Sequence, residues 1–415
     1  MTAAADGQLS LVNHVRIVEG PDGFGNCLRA TRAIKRGEVV MEERPLICGD
    51  ALSALPPIVA FAKVGEGAAP ILANPAIGGA AWPQESTFDT HLFGLLLAFI
   101  DAEADTQLAV LDASNIQSEM EQSPAPGLPA AGPSEVSARQ AEAALRERGA
   151  PWLAEEWSLP AGVSPEGLLA RLLRILAINA MPFEGGGALY RVASKLAHRC
   201  HGANVHMQPD GRRGVGVFTA LRDIETGDLL SHPYLTLNLS LCSTPLRRRL
   251  LYCQRSMFCL CGSCVGFDWL RRLPSPCGGG ALLTRHGGRG LWQCDRAGCG
   301  DELTDEALAP LLAQEEALAG SALELYASVD AERPRCLPAA QLERLERLLE
   351  ACEATLGEQH WSTQALRRLA LMQEYEATGR AERGGGEWLG RMQRCEAWID
   401  EAVERCEAEG DLLEL

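Results

Sequence analysis

The sequence predicts an α+β protein: a β-rich part split in two by a helical insertion, a cysteine metal site behind it, and an all-α C-terminal lobe. Three observations carry this. Residues 11–47 alternate in short strand-like runs separated by Gly-rich turns, residues 304–415 keep helical apolar spacing, and Cys259, Cys261 and Cys264 form C-x-C-x2-C. Three thiolates so close together can face one ion, and they leave a tetrahedral structural zinc one ligand short.

A chain of 415 residues, 47% hydrophobic and 22% charged, has the composition of a soluble globular protein and the length for two or three domains. The longest apolar run, Leu92 to Ile100, ends at Asp101 and falls short of the roughly 18–20 residues that span a bilayer, so no membrane segment is expected. The first residues, Met1-Thr-Ala-Ala-Ala-Asp6, have neither a basic nor an apolar signal region, so a cytoplasmic or nuclear location is expected. The fifteen cysteines then read as metal ligands and buried thiols rather than as a disulfide framework. A net charge of −17 argues against direct nucleic-acid binding. That charge is uneven: residues 186–274 hold twelve Lys and Arg against five acids, and residues 301–360 hold fourteen acids against four arginines. Both sets read first as solvated faces; the sharper alternative is an acidic lobe that attracts a cationic protein substrate.

In chain order, strands are expected at Val15 to Val18, Cys27 to Thr31 and Val39 to Glu43, around turns at Gly20 to Asn26 and Lys35 to Glu38. Gly23 and Gly25 have no third glycine and no following helix, so they are not a dinucleotide fingerprint. Ala/Pro/Gly-rich stretches at 51–84 and 123–133 bound an insertion with helical spacing at 91–113 and 136–149. Ser164-Pro165-Glu166 opens a helix whose stripe is Leu168, Leu169, Leu172, Leu173 and Leu176, ending near Asn179. Cys277, Cys294 and Cys299 resemble a zinc ribbon lacking one ligand; His286 is a candidate to complete it, and a metal-free relic is the alternative. After Thr304, two faces, Leu342/Leu345/Leu348/Leu349 and Leu366/Leu369/Leu371, suggest two or three helix pairs without a clean 34-residue repeat.

Together these stretches resemble SET-domain lysine methyltransferases of the SET-and-MYND type. Gly23-Phe24-Gly25-Asn26-Cys-Leu-Arg-Ala30 is similar to the family's G-x-G-N-G-L-R-A over the methionine part of S-adenosylmethionine, and Asn179-Ala-Met181 to its N-S-F. Ser194 to Cys200 is similar to S-x-L-N-H-S-C, Gly227 to Tyr234 aligns without a gap to G-E-E-L-x-x-S-Y, and Cys259, Cys261 and Cys264 match the post-SET cysteines, with Cys200 as fourth zinc ligand. The resemblance implies a split SET domain at 11–50 and 164–240, an insertion at 51–163, a post-SET zinc region at 241–268, a ribbon-like segment at 269–303 and a TPR-like lobe of helical hairpins at 304–415. No cysteine lies between Cys48 and Cys200, so the family's MYND finger is missing.

What the resemblance further implies is S-adenosylmethionine-dependent methylation of a lysine on a protein substrate, a histone tail among the candidates, by a monomer. Tyr234 would be catalytic, its hydroxyl beside the transferred methyl; Gly23, Phe24, Gly25, Asn26, Asn179, Ala197, His198, Tyr234 and Phe258 would line the cofactor. His198 would offer its backbone, its imidazole packing or hydrogen-bonding structurally. His201 and His206 are rival metal ligands that a thiolate-only site does not need. Three positions depart from the family: Ala197 replaces an asparagine, Cys200-His-Gly-Ala-Asn204 is one residue longer than C-x-P-N, and Met257 stands where an adenine-stacking aromatic is expected, with Phe258 next to it. A lost buried hydrogen bond costs about 1–3 kcal/mol. The alternative is therefore a SET-like, catalytically weak protein-binding scaffold.

Overall fold

The computed structural model describes residues 10–20, 26–50, 91–112, 139–146 except 140 and 144, 165–184, 186–235, 237–255, 259–285, 290–332, 337–378 and 386–413. Gly23, Phe24, Gly25, Met257, Phe258 and His286 lie outside the described residues, as does most of the expected helix at 136–149.

Five strands come first: β1 (Ser10–Asn13), β2 (Val15–Glu19), β3 (Asn26–Ala30), β4 (Val39–Glu43) and β5 (Ile47–Asp50). The hairpin β2–β3 sets Val15 opposite Ala30 and Glu19 opposite Asn26. Next come α1 (His91–Ile100), α2 (Ala104–Asp112) and α3 (Pro165–Asn179). The 91–113 stretch, which reads as one helical segment, is two helices broken at Asp101; the Gln107 amide reaches back to Phe99 O at 3.0 Å and Ile100 O at 3.3 Å, at the end of the first helix. In α3 the expected leucine stripe is buried throughout, and Leu169, Leu172, Leu173 and Leu176 pack with Leu95, Leu96 and Phe99 of α1 and with Ile47 of β5. Each such side chain contributes about 1.5–3 kcal/mol relative to exposure.

β6 (Met181–Phe183), β7 (Gly186–Leu189), β8 (Ala197–His198), β9 (Val205–Asp210), β10 (Val215–Ala220) and β11 (Ser231–His232) complete the β-rich part. Three antiparallel arrangements result, in order β1-β4-β10-β9, β5-β7-β6 and β2-β3, together with a two-residue parallel pair, β8–β11. Their core holds Leu28, Ile34, Val40, Met41, Tyr190, Phe218, Ile224 and Leu230, with Tyr190 edge-on to Phe218 at 5.7 Å.

The rest is α4 (Leu237–Ser240), α5 (Thr244–Arg255) and α6 (Gly262–Val265), an antiparallel sheet of β12 (Leu273–Pro274), β13 (Ala281–Thr284), β14 (Leu291–Cys294) and β15 (Glu302–Thr304), then α7 (Asp305–Glu332), α8 (Ala339–Leu356), α9 (Trp361–Thr378) and α10 (Gly386–Leu413). Leu273, Leu282 and Trp292 of that sheet share a core with Leu308, Leu325, Leu345 and Leu366, so the ribbon-like segment is part of the helical lobe's packing. Arg271 clamps the two together through a two-pronged ion pair to Glu315 of α7, at 2.6 and 2.7 Å. The fold is thus mixed α and β with a helical C-terminal region, and no helix of the described residues is long and apolar enough to cross a membrane.

Candidate active site and thiol centre

Two chain segments meet at the parallel pair β8–β11, where Ala197 faces Ser231 and His198 faces His232. The strand leading to Tyr234 is held on both sides: Leu230 N–H donates to Leu28 O at 2.8 Å and Ala197 N–H to Leu230 O at 3.1 Å. That brings the strand carrying Asn26, β3, alongside the crossing. Asn204 locks it further, its Oδ1 accepting from Ser231 N at 2.8 Å and its Nδ2 donating to Leu229 O at 2.9 Å. The extra residue between Cys200 and Asn204 does not open the crossing, because Gly202 takes φ +67°, a left-handed turn that side-chain-bearing residues resist.

Tyr234 is half-buried, and its hydroxyl donates to Leu196 O at 2.6 Å. Its ring lies 4.9 Å from the His198 ring. Tyr234 N–H donates to His198 Nδ1 at 3.1 Å. That acceptor role places the imidazole proton on Nε2, which sits 3.2 Å from Cys200 Sγ and donates to it. His198 therefore links the tyrosine backbone to a cluster thiol, a structural role for its ring.

The Cys200, Cys259, Cys261 and Cys264 sulfurs lie within 4.8 Å of one another, and the set could hold a metal ion. Cys200 Sγ is 3.8 Å from Cys259 Sγ and 3.5 Å from Cys264 Sγ. Tetrahedral zinc with Zn–S bonds of about 2.3 Å separates its sulfurs by roughly 3.8 Å, so spacing and donor chemistry both fit zinc. His201 does not join: it is buried, and Nε2 donates to Ser240 O at 2.9 Å. Burial pushes its pKa down to about 3, so the ring is neutral. His206 is exposed on β9.

Beneath the thiols lies what the sequence reading missed. Arg247, Arg248 and Arg249 of α5 are all buried. Arg247 donates to Cys242 O, to Thr244 Oγ1 at 2.7 Å, to Ser263 O at 3.1 Å and to Cys264 Sγ at 3.7 Å. Arg248 holds Cys259 O at 3.0 Å and Cys264 O at 2.9 Å. Hydrogen bonds from the Cys200, Cys259 and Cys261 thiols, aided by the Arg247 charge, hold Cys264 well below the ordinary thiol range. Four thiolates around a dication carry excess negative charge, and a buried guanidinium offsets it. Three arginines following Pro245 and Leu246 were the available signal, although such a run ordinarily marks a solvated face. Ser263 Oγ also donates to Cys406 O of α10 at 3.4 Å, tying the last helix to the thiol cap.

Of the expected cofactor residues, Ala197, His198 and Tyr234 come together at the crossing. Asn179 ends α3 with its amide donating to Ile175 O at 2.9 Å. A sulfonium-bound methyl is met well by oxygen atoms, and the Tyr234 hydroxyl with the Leu196 carbonyl supplies two; in that respect the residues present fit S-adenosylmethionine.

No protein-family model matches the chain, and no curated protein is significantly similar to it. Among solved structures, the SET domain of LSMT bound to lysine and AdoHcy is similar at 13% identity over 92% of this chain and 94% of that one, with a TM-score of 0.30. Rubisco LSMT bound to AdoMet is similar at 10% identity over 88% of each chain, also with a TM-score of 0.30. At such scores these likenesses carry no argument about function.

Proposed function

We propose that the chain is an S-adenosylmethionine-dependent protein-lysine N-methyltransferase, with the active site at the β8–β11 crossing. The observation that carries this is the Tyr234 hydroxyl, set 2.6 Å from Leu196 O at a crossing built from the two segments that resemble the family signatures. Cys200, Cys259, Cys261 and Cys264 would hold a structural zinc.

When bound, S-adenosylmethionine supplies an electrophilic methyl on a positive sulfur. The chain's share is to present a neutral amine in line with it. Lysine, with a pKa near 10.4, is almost wholly protonated at neutral pH, so the approach must desolvate the ammonium and let its proton leave to water. The Tyr234 and Leu196 oxygens then orient the amine, and alignment of this kind supplies about 7–11 kcal/mol. The zinc staple fixes the wall: Cys200 is two residues from His198, whose ring holds the Tyr234 backbone.

A second reading, a SET-like scaffold with little turnover, is favoured by two positions: Ala197 has no side-chain amide to offer a cofactor, and the Asn179 side-chain amide is engaged by Ile175 O. The test incubates zinc-loaded full chain with methyl-labelled S-adenosylmethionine and a library of lysine peptides, read by mass spectrometry. Label on lysine, reduced about a hundredfold in Tyr234→Phe, is expected, the scale of losing one positioned donor. No label, from protein that binds the cofactor, favours the scaffold.

A further inference from the structure

A second group of thiols lies outside the crossing. Cys277 sits in the turn after β12, Cys294 ends β14, and Cys299 sits in the turn before β15, yet their sulfurs fall within 4.8 Å of one another, with Cys277 and Cys294 at 3.6 Å. All three are half-buried, within reach of an ion from solvent.

The backbone around them repeats one device twice. Cys277 is followed by Gly278 at φ +69°, and the N–H of Gly279 hydrogen-bonds to the Cys277 sulfur. Cys299 is followed by Gly300 at φ +69°, and the N–H of Asp301 hydrogen-bonds to the Cys299 sulfur. In both, the left-handed glycine folds the chain so that the amide two residues on aims its dipole at sulfur. An amide so placed can donate to a metal-bound sulfur. Cys294 approaches from the neighbouring strand, in register with Leu282, and the fit around it is tight: a Cβ on Gly280 would lie 2.6 Å from Cys294 Sγ. Three thiols held as unrelated packing groups would not need two matched turns.

We infer that Cys277, Cys294 and Cys299 hold a second metal ion, a borderline or soft d10 cation with zinc in the first place, completed by an oxygen ligand. The 3.6 Å sulfur separation suits Zn–S bonds of about 2.3 Å. Among the described residues no fourth Cys, His, Asp or Glu donor lies within 4.8 Å of all three sulfurs, which leaves one coordination position open. Water fills it, or the Asp301 carboxyl, which hydrogen-bonds to Cys299 and would have to swing in to reach the ion. Nothing in this depends on methyl transfer. Binding releases the thiol protons and makes no other covalent change.

The test uses the full chain, reduced, loaded with excess zinc and desalted, with metal counted by elemental mass spectrometry. Two zinc ions per chain are expected, falling to one in Cys294→Ser with the main unfolding transition kept. With cadmium in place of zinc, two cadmium resonances are expected, one of four-sulfur type and one of three-sulfur, one-oxygen type, and Cys294→Ser removes the second. Asp301→Asn moves that resonance if the carboxylate is the oxygen and leaves it if water is. One ion per chain in the wild type, two retained in Cys294→Ser, a second resonance of sulfur–nitrogen type, or a Cys277–Cys294 disulfide in zinc-loaded protein overturns the inference.

Discussion

The two thiol clusters differ in what they join. The first links Cys200 to Cys259 and Cys264, 59 and 64 residues further along the chain, and is almost wholly buried. The second links Cys277 to Cys294, 17 residues apart, within one small sheet, and is half-exposed. Buried arginine charge and a histidine leading to Tyr234 surround the first, whereas local glycine turns build the second. A crosslink that closes a long loop and would brace the proposed active site is a fold-level device. One that closes a short loop shapes only its own turns.

The largest break in this comparison is loss of a thiol from the first cluster, which would carry the first metal. Structural zinc contributes on the order of 10 kcal/mol in small zinc peptides, so Cys259→Ser should abolish the cooperative unfolding transition or lower its midpoint far more than Cys294→Ser does. Equal shifts for the two variants would erase the distinction between the clusters. Arg247→Met comes next: removing the guanidinium strips donors from Cys242 O, Ser263 O and the Cys264 thiolate, at about 3–5 kcal/mol in denaturant titration. A neutral result would mean that the thiols need no buried cation.

On the side of the second cluster, the clamp between Arg271 and Glu315 gives a pH signature. Burial pushes the Glu315 carboxyl up, but Arg271 and His360 outweigh it and hold the pKa at about 2, below the ordinary 4.5. A depressed folded-state pKa means that this stabilisation is complete above about 4.5 and lost as pH falls toward 2. The stability gap between wild type and Glu315→Gln should therefore shrink across that window, and a gap independent of pH would remove the clamp's charge from the account. The smallest expected effect on stability is that of Tyr234→Phe, about 1 kcal/mol for one hydrogen bond to Leu196 O, in contrast to the large loss of turnover that the proposed role predicts.

Much of this architecture was legible in residue pattern. The α3 leucine stripe, the strands at Val15, Cys27 and Val39, and the C-x-C-x2-C run are local signals whose spacing already states their geometry. The burial of Arg247, Arg248 and Arg249 was not, because their acceptors are backbone carbonyls and a thiolate brought in from other segments, and no pattern marks a carbonyl as waiting for a guanidinium. Asn204 was hidden for a similar reason: its worth lies in Leu229 and Ser231, joined to it only by the crossing. Cys277 and Cys299 were visible as cysteines, but the matched turns at Gly278 and Gly300 emerge only from backbone angles.

The central claim, that the zinc-stapled crossing is a cofactor site, is tested most directly by calorimetric titration of zinc-loaded full chain with S-adenosylhomocysteine. Saturable heat at one molecule per chain is the result expected. Absence of binding by folded protein carrying its four-thiolate zinc would contradict it.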